Sequence, residues 1–207
     1  MDDERTSPAS PRDAVRSTNL KARALDAAAA LVSAKGPDAL NLRDLAAALN
    51  TGPASLYYHF KNKDALLAEV AAVGFRSLEA AVTAAHEAGP SGAAIRVCGG
   101  AYLRFIREHT MLYKLMYAER IQTGHEVART AEQQAFATFA RLIASQGGAA
   151  EAQDLRNSAL ALWALGRGTA ALAIPLEETE PGSGRALARQ IVSGLEALMG
   201  RPVRAAS

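Results

Sequence analysis

Between Asn41 and Lys63 the chain has room for two short helices and nothing longer, because Asn50–Thr51–Gly52–Pro53 interrupts the run. Leu42, Leu45, Ala46 and Leu49 recur at three-to-four spacing, which predicts one helix, and Asn41 before them offers a side-chain oxygen to its unpaired first-turn donors. Asn50 tolerates a left-handed backbone and Gly52 has no Cβ, so together they suit a sharp reversal. Pro53 then restarts a helix, since a missing N–H is harmless at a first helical position. In that second helix Leu56 and Phe60 fall four apart and share one face, which must pack on the first helix.

The opposite face carries Pro53, Ser55, Tyr57 and Tyr58 with His59 beside them. Such a small-then-aromatic surface suits the edge of a nucleic-acid groove. Ser55 can hydrogen-bond a base or phosphate, Pro53 and Ala54 can touch a thymine methyl, tyrosine hydroxyls can reach phosphate oxygens, and Lys63 can hold the backbone.

The block Leu56–Tyr57–Tyr58–His59–Phe60 followed by Lys63 resembles the helix-turn-helix of TetR-family transcriptional regulators, over about Leu20 to Phe75. The resemblance implies a base-reading role for Arg43, bases facing Pro53 and Ser55, and phosphate or groove-wall contacts for Tyr57, Tyr58, His59 and Lys63. It also implies repression as the regulatory sense. The chain departs from the family pattern at Asn50, where many members have Gly, and at Gly52, where many have a polar residue.

With 207 residues, 49% of them hydrophobic, the chain can hold a small domain and a larger one. Net charge is only +2, but from Ala14 to Lys63 seven basic residues face three acidic ones, so the basic excess sits with the motif. Cys98 is the sole cysteine, which excludes an intrachain disulfide and a thiolate zinc site and makes a cytoplasmic setting the expectation. The opening Met1 to Arg16 has no apolar core, so it is neither a signal peptide nor a membrane span. The expected division is a disordered tail over 1–18, a DNA-binding domain over 19–64 with its motif at 41–60, and a helical body over 65–207. Arg12 and Arg16 in the tail are read as solvated, with a minor-groove contact as the alternative.

The remaining chain shows helical rather than alternating periodicity, so the fold class expected is all-α. Helices are predicted over Leu20–Lys35, Asp64–Glu87, Ala93–Glu108, Met111–Ala118, His125–Gln146, Ala152–Ile174 and Gly184–Met199, with an acidic loop at Pro175–Ser183. Tyr102, Phe105, Tyr113, Met116, Tyr117, Phe136, Phe139 and Trp163 gather the apolar bulk that a ligand cavity would need, although the same spacing also serves core packing. Leu160 and Trp163 either close that chamber or fill the core.

Leu155, Ala159, Leu162 and Gly166 on one of the last two helices, with Leu187, Ile191, Leu195 and Leu198 on the other, form narrow seams that a second copy could cover. The family resemblance implies the same homodimer. A two-fold pair of reading helices demands a near-palindromic operator, and a small, mostly apolar effector that tilts the helix after the motif would release it. A dimer that binds DNA constitutively without a ligand is the nearer alternative, and an all-helical small-molecule-binding enzyme using Tyr102, Tyr113 and Tyr117 the farther one. Enzyme chemistry is not expected: His59, His86, His109 and His125 lack metal-ligand spacing, Gly166–Arg167–Gly168 follows no strand, and no Gly-x-Ser-x-Gly elbow occurs. No cofactor, metal or membrane partner is expected either.

Overall fold

A computed structural model describes residues 11–145 and 152–199, and among them the secondary structure is wholly helical. The first helix, α1 (Pro11–Lys35), buries Ala24, Ala28 and Val32 and stops at Gly36, whose φ of 79° favours glycine. After a single 3-10 turn at Pro37–Ala39 come α2 (Leu42–Ala48) and α3 (Pro53–His59). Asn41 Oδ1 accepts from the Arg43 amide at 2.8 Å, which is the expected cap. The left-handed residue of the turn is Asn50, at φ 52°; Gly52 is extended, and nothing lies within 4 Å of where its Cβ would be. The reversal therefore depends on Asn50 and not on the glycine.

The next helix, α4 (Lys63–Ala88), is capped by Asn62, whose Oδ1 accepts from Ala65 N, and fully buries Leu66, Leu67, Val70, Phe75 and Leu78. Beyond it lie α5 (Ala94–Glu108), α6 (Thr110–Met116), α7 (Glu119–Gly124), α8 (Glu126–Ala144), α9 (Ala152–Thr179) and α10 (Ser183–Met199).

Two compact units result. One runs to Ser77 and takes in Met111–Ala135; the other comprises Leu78–Thr110 and the chain from Phe136 onward. These units cut the chain within α4 and α8, whereas the domains drawn from sequence divide it after residue 64. In the first unit α6 packs through methionine on α4 and on the residue that ends α1. A Cβ at Gly74 would lie 2.7 Å from Met116 Sδ, and one at Gly36 would lie 2.9 Å from Met111 Cε. In the second unit α5 buries Cys98, Tyr102, Phe105 and Ile106, and Thr138 donates to Glu79 Oε1 at 2.7 Å.

Three expectations change. The first helix begins at Pro11 and not at Leu20, because proline suits a helix start and no Gly or Pro follows until Gly36; residues 1–10 of the expected tail lie outside the described residues. An additional helix, α7, forms because Ile121 is fully buried and Gln122 Nε2 reaches back to the Met116 carbonyl at 2.6 Å. The expected loop at Pro175–Ser183 is helical to Thr179. Pro175 sits on the exposed side, and Glu177 closes the corner by accepting from the amides of Gly182 and Arg185.

Candidate nucleic-acid interface

The packing of α3 decides which of its side chains are free. Leu56 and Phe60 are fully buried against α1 and α2, a burial that stabilises by about 1.5–3 kcal/mol for each side chain. Pro53, Ala54 and Ser55 are consequently exposed at the first turn, with Tyr57 48% and Tyr58 84% exposed behind them. Large aromatics so exposed on a short helix are unusual for a solvated face and suit contact with another surface. His59 is half-buried, with its ring 5.3 Å from that of Tyr58 and 6.2 Å from that of Phe60. Arg43 projects from the first turn of α2 and is exposed. Seven of the eight residues singled out from sequence for DNA contact thus lie in the exposed or half-buried skin of α2 and α3.

The eighth, Lys63, is differently engaged. Its Nζ donates to the Asp38 carbonyl at 3.2 Å, which ties the start of α4 to the 3-10 turn. Lys61, two residues earlier, is exposed and was not singled out from sequence. The signal was present in Lys61–Asn62–Lys63, but only the capping role of Asn62 tells which lysine faces outward. Further cations counted in the basic excess also have partners inside the unit. Lys21 pairs with Glu69 at 2.7 Å, and Arg23 donates to the Leu49 carbonyl at 3.4 Å.

The residues proposed from sequence for a ligand chamber separate into two groups. Tyr113, Met116 and Tyr117 belong to the first unit, where the Tyr117 ring lies 4.8 Å from Tyr113 and edge-on to Phe75 at 5.3 Å. Tyr102, Phe105, Phe136, Phe139 and Trp163 belong to the second. There the Trp163 ring centre is 4.9 Å from Tyr102, 5.6 Å from Phe136 and 5.5 Å from Phe139, while Phe105 stacks near His109. Beside these rings a cavity of about 30 Å³ is lined by Gly99, Tyr102, Leu162 and Thr169 among others. It has room for one or two waters, far below the roughly 300 Å³ of a drug-sized pocket. Burial pushes the Cys98 thiol up, so it is no ready nucleophile.

The seam expected on α9 faces inward. Ala159 is fully buried, Gly166 lies against the Tyr102 ring, and Leu155 and Leu162 are half-buried. The exposed apolar stripe is instead Leu160, Ala164, Gly168 and Leu172, with Leu160 57% and Leu172 61% exposed. Leu160 therefore neither closes a chamber nor fills the core, while Trp163 is buried. On α10, Leu187 and Ile191 are half-buried, and the side chains of Leu195 and Leu198 lie outside the described residues.

Residues 24–70 match the family described as bacterial regulatory proteins, tetR family, and residues 95–195 match the tetracyclin repressor-like C-terminal domain. No curated protein matches the sequence. Among solved structures, a protein of unknown function from Rhodococcus sp. RHA1 is 24% identical, with 92% of this chain and 96% of that one covered at a TM-score of 0.65. A regulatory protein in the tetR family from Rhodococcus RHA1 is 23% identical, with 86% and 95% covered and a TM-score of 0.57. A candidate transcriptional regulator from Saccharomonospora viridis, solved in complex with choline, is 18% identical, with 86% and 96% covered and a TM-score of 0.61. These likenesses establish a shared fold.

Proposed function

Since the chain belongs to the tetR family, and is therefore a transcriptional regulator with a DNA-binding domain and not an enzyme, we propose that it acts as a homodimeric repressor on a near-palindromic operator. The observation that carries this reading is the exposed face from Pro53 to Tyr58, set on the buried Leu56 and Phe60 within the tetR match. Arg43 reads a guanine edge, Pro53 and Ala54 meet thymine methyls, Ser55 bonds a base or phosphate, and Tyr57, Tyr58 and His59 contact the backbone and groove wall. Lys63 joins them by exchanging its Asp38 carbonyl for a phosphate. The second copy covers the Leu160–Ala164–Gly168–Leu172 stripe of α9, whose small residues let helices approach closely. Its operator is in the cytoplasm, so α9, though long and apolar enough by composition to cross a membrane, serves here as a packing helix.

Selection of bound duplexes from a random pool tests reader and dimer together. A near-palindrome with half-sites about 34 Å apart is the expected product, and enrichment of no sequence would overturn the reading.

Release by a small apolar effector is the regulatory part of the proposal. An effector favouring a different setting of α4, which runs through both units, would lower DNA affinity by about 5- to 150-fold at the coupling usual for such systems. A second reading is a dimer that binds DNA constitutively with no ligand, since the cavity beside Tyr102 holds no more than water without a rearrangement of its walls. A thermal-shift screen with small apolar compounds and choline separates the two: a hit that also weakens DNA binding supports induction, and a screen without stabilisation supports the constitutive form.

A further inference from the structure

Lys21 is a basic residue on the helix that precedes the reading pair, and by charge alone it belongs among the phosphate contacts. Its surroundings assign it otherwise. Its Nζ lies 2.7 Å from Glu69 Oε1 on α4, with the lysine side chain 40% and the glutamate side chain 26% exposed. The same ammonium lies 5.9 Å from the centre of the Phe60 ring, within cation–π range. Phe60 is the C-cap of α3 and is buried, so the ring that meets Lys21 is the one that ends the recognition helix.

We propose that Lys21 is a positioning residue for DNA binding: clamped by Glu69, it holds the Phe60 end of α3 between α1 and α4 and so sets the angle at which Tyr57 and Tyr58 are presented. This role rests on the reading of α3 as the DNA-contacting helix. Glu69 lies on α4, so the pair also links the reader's orientation to the helix that continues into the second unit. A phosphate-binding lysine needs no carboxylate partner, and the pair makes Lys21 a neutral unit toward the DNA.

Charge reversal separates the two roles. Lys21→Glu, Glu69→Lys and the double swap are compared by affinity for a duplex enriched by the wild-type protein, well below the unfolding temperature of each variant. Lys21→Glu is expected to weaken binding about three- to tenfold, and the double swap to recover about half of that loss on a logarithmic scale, because it restores the ion pair but not the ammonium on the Phe60 ring. A phosphate contact cannot be rescued in this way, because the swap leaves a carboxylate facing the DNA. A double swap that binds no better than Lys21→Glu overturns the role. A pair that only stabilises the fold would lower the unfolding temperature of Lys21→Glu and leave the folded protein's affinity unchanged, which also overturns it. Should Lys21→Glu fail to fold, Lys21→Met decides: the salt slope is expected to stay at the wild-type value, and a fall of about 0.9 would mark a lost phosphate contact and overturn the role. Wild-type protein that enriches no duplex would sink the reading of α3 itself, whereas wild-type binding without rescue sinks the Lys21 role alone.

Discussion

The Tyr102 ring occupies the space that a side chain at Gly166 would need: a Cβ there would overlap the ring edge at Cε1, with Cδ1 only 2.7 Å away. This contact brings α5 and α9 together and packs Tyr102 beside Trp163 and Phe139. Both residues are buried, so neither has room to yield into solvent.

Gly166→Ala is therefore expected to destabilise the protein by about 1–3 kcal/mol through overpacking. Adding Tyr102→Ala should recover part of that loss, because the ring causes it. Thermal unfolding of both singles and the double measures the coupling, and strictly additive losses would show that the contact is not the cause.

Arg43→Ala should reduce discrimination among operator variants by about 1–3 kcal/mol if the guanidinium reads a base edge. Binding titrations against single-base variants check this. Equal weakening on every sequence would make Arg43 a phosphate contact.

Leu160→Arg puts an unpartnered charge on the exposed apolar stripe of α9. If a second copy covers that stripe, dimer dissociation should rise at least about a hundredfold, since burying an unpaired charge costs several kcal/mol. Light scattering across a dilution series reads the change, and an unaltered dimer would place the interface elsewhere.

Glu177 gives a pH dependence of known sign. The Gly182 amide, followed by the Arg185 amide and guanidinium, holds its carboxyl below the ordinary value of 4.5. A carboxyl lowered in this way stabilises the folded state fully above its unfolded value, and the contribution disappears as pH falls through the lowered one. The melting-temperature gap between wild type and Glu177→Gln should thus be constant near neutrality and close below pH 4.5. A gap that persists unchanged into acid would remove Glu177 from the corner between α9 and α10.

Most of the helical plan was readable because its signals are local. Asn41 caps within two residues of itself, the Leu42–Leu45–Leu49 stripe is periodic, and Asn50 and Pro53 punctuate by their own backbone preferences. The reading failed where a contact depends on how the chain folds back on itself and not on helical spacing. The corner after α9 depends on Glu177 finding amides beyond the turn, which a proline-and-acid composition does not reveal. On α9 itself, small and apolar residues repeat on two sides, so periodicity alone could not rank the Ala159–Gly166 face against the Leu160–Leu172 face.

The amino-acid order by itself determined the class of fold, the reading helix and the side chains on its outer face, because caps, turns and helical spacing act over a few residues at a time. Tertiary packing alone decided which basic residues are tied to other groups of the chain and which face of α9 is left uncovered. Lys21 meets Glu69 across 48 positions of chain and Gly166 meets Tyr102 across a comparable separation, and contacts at that range exist only once the helices are assembled.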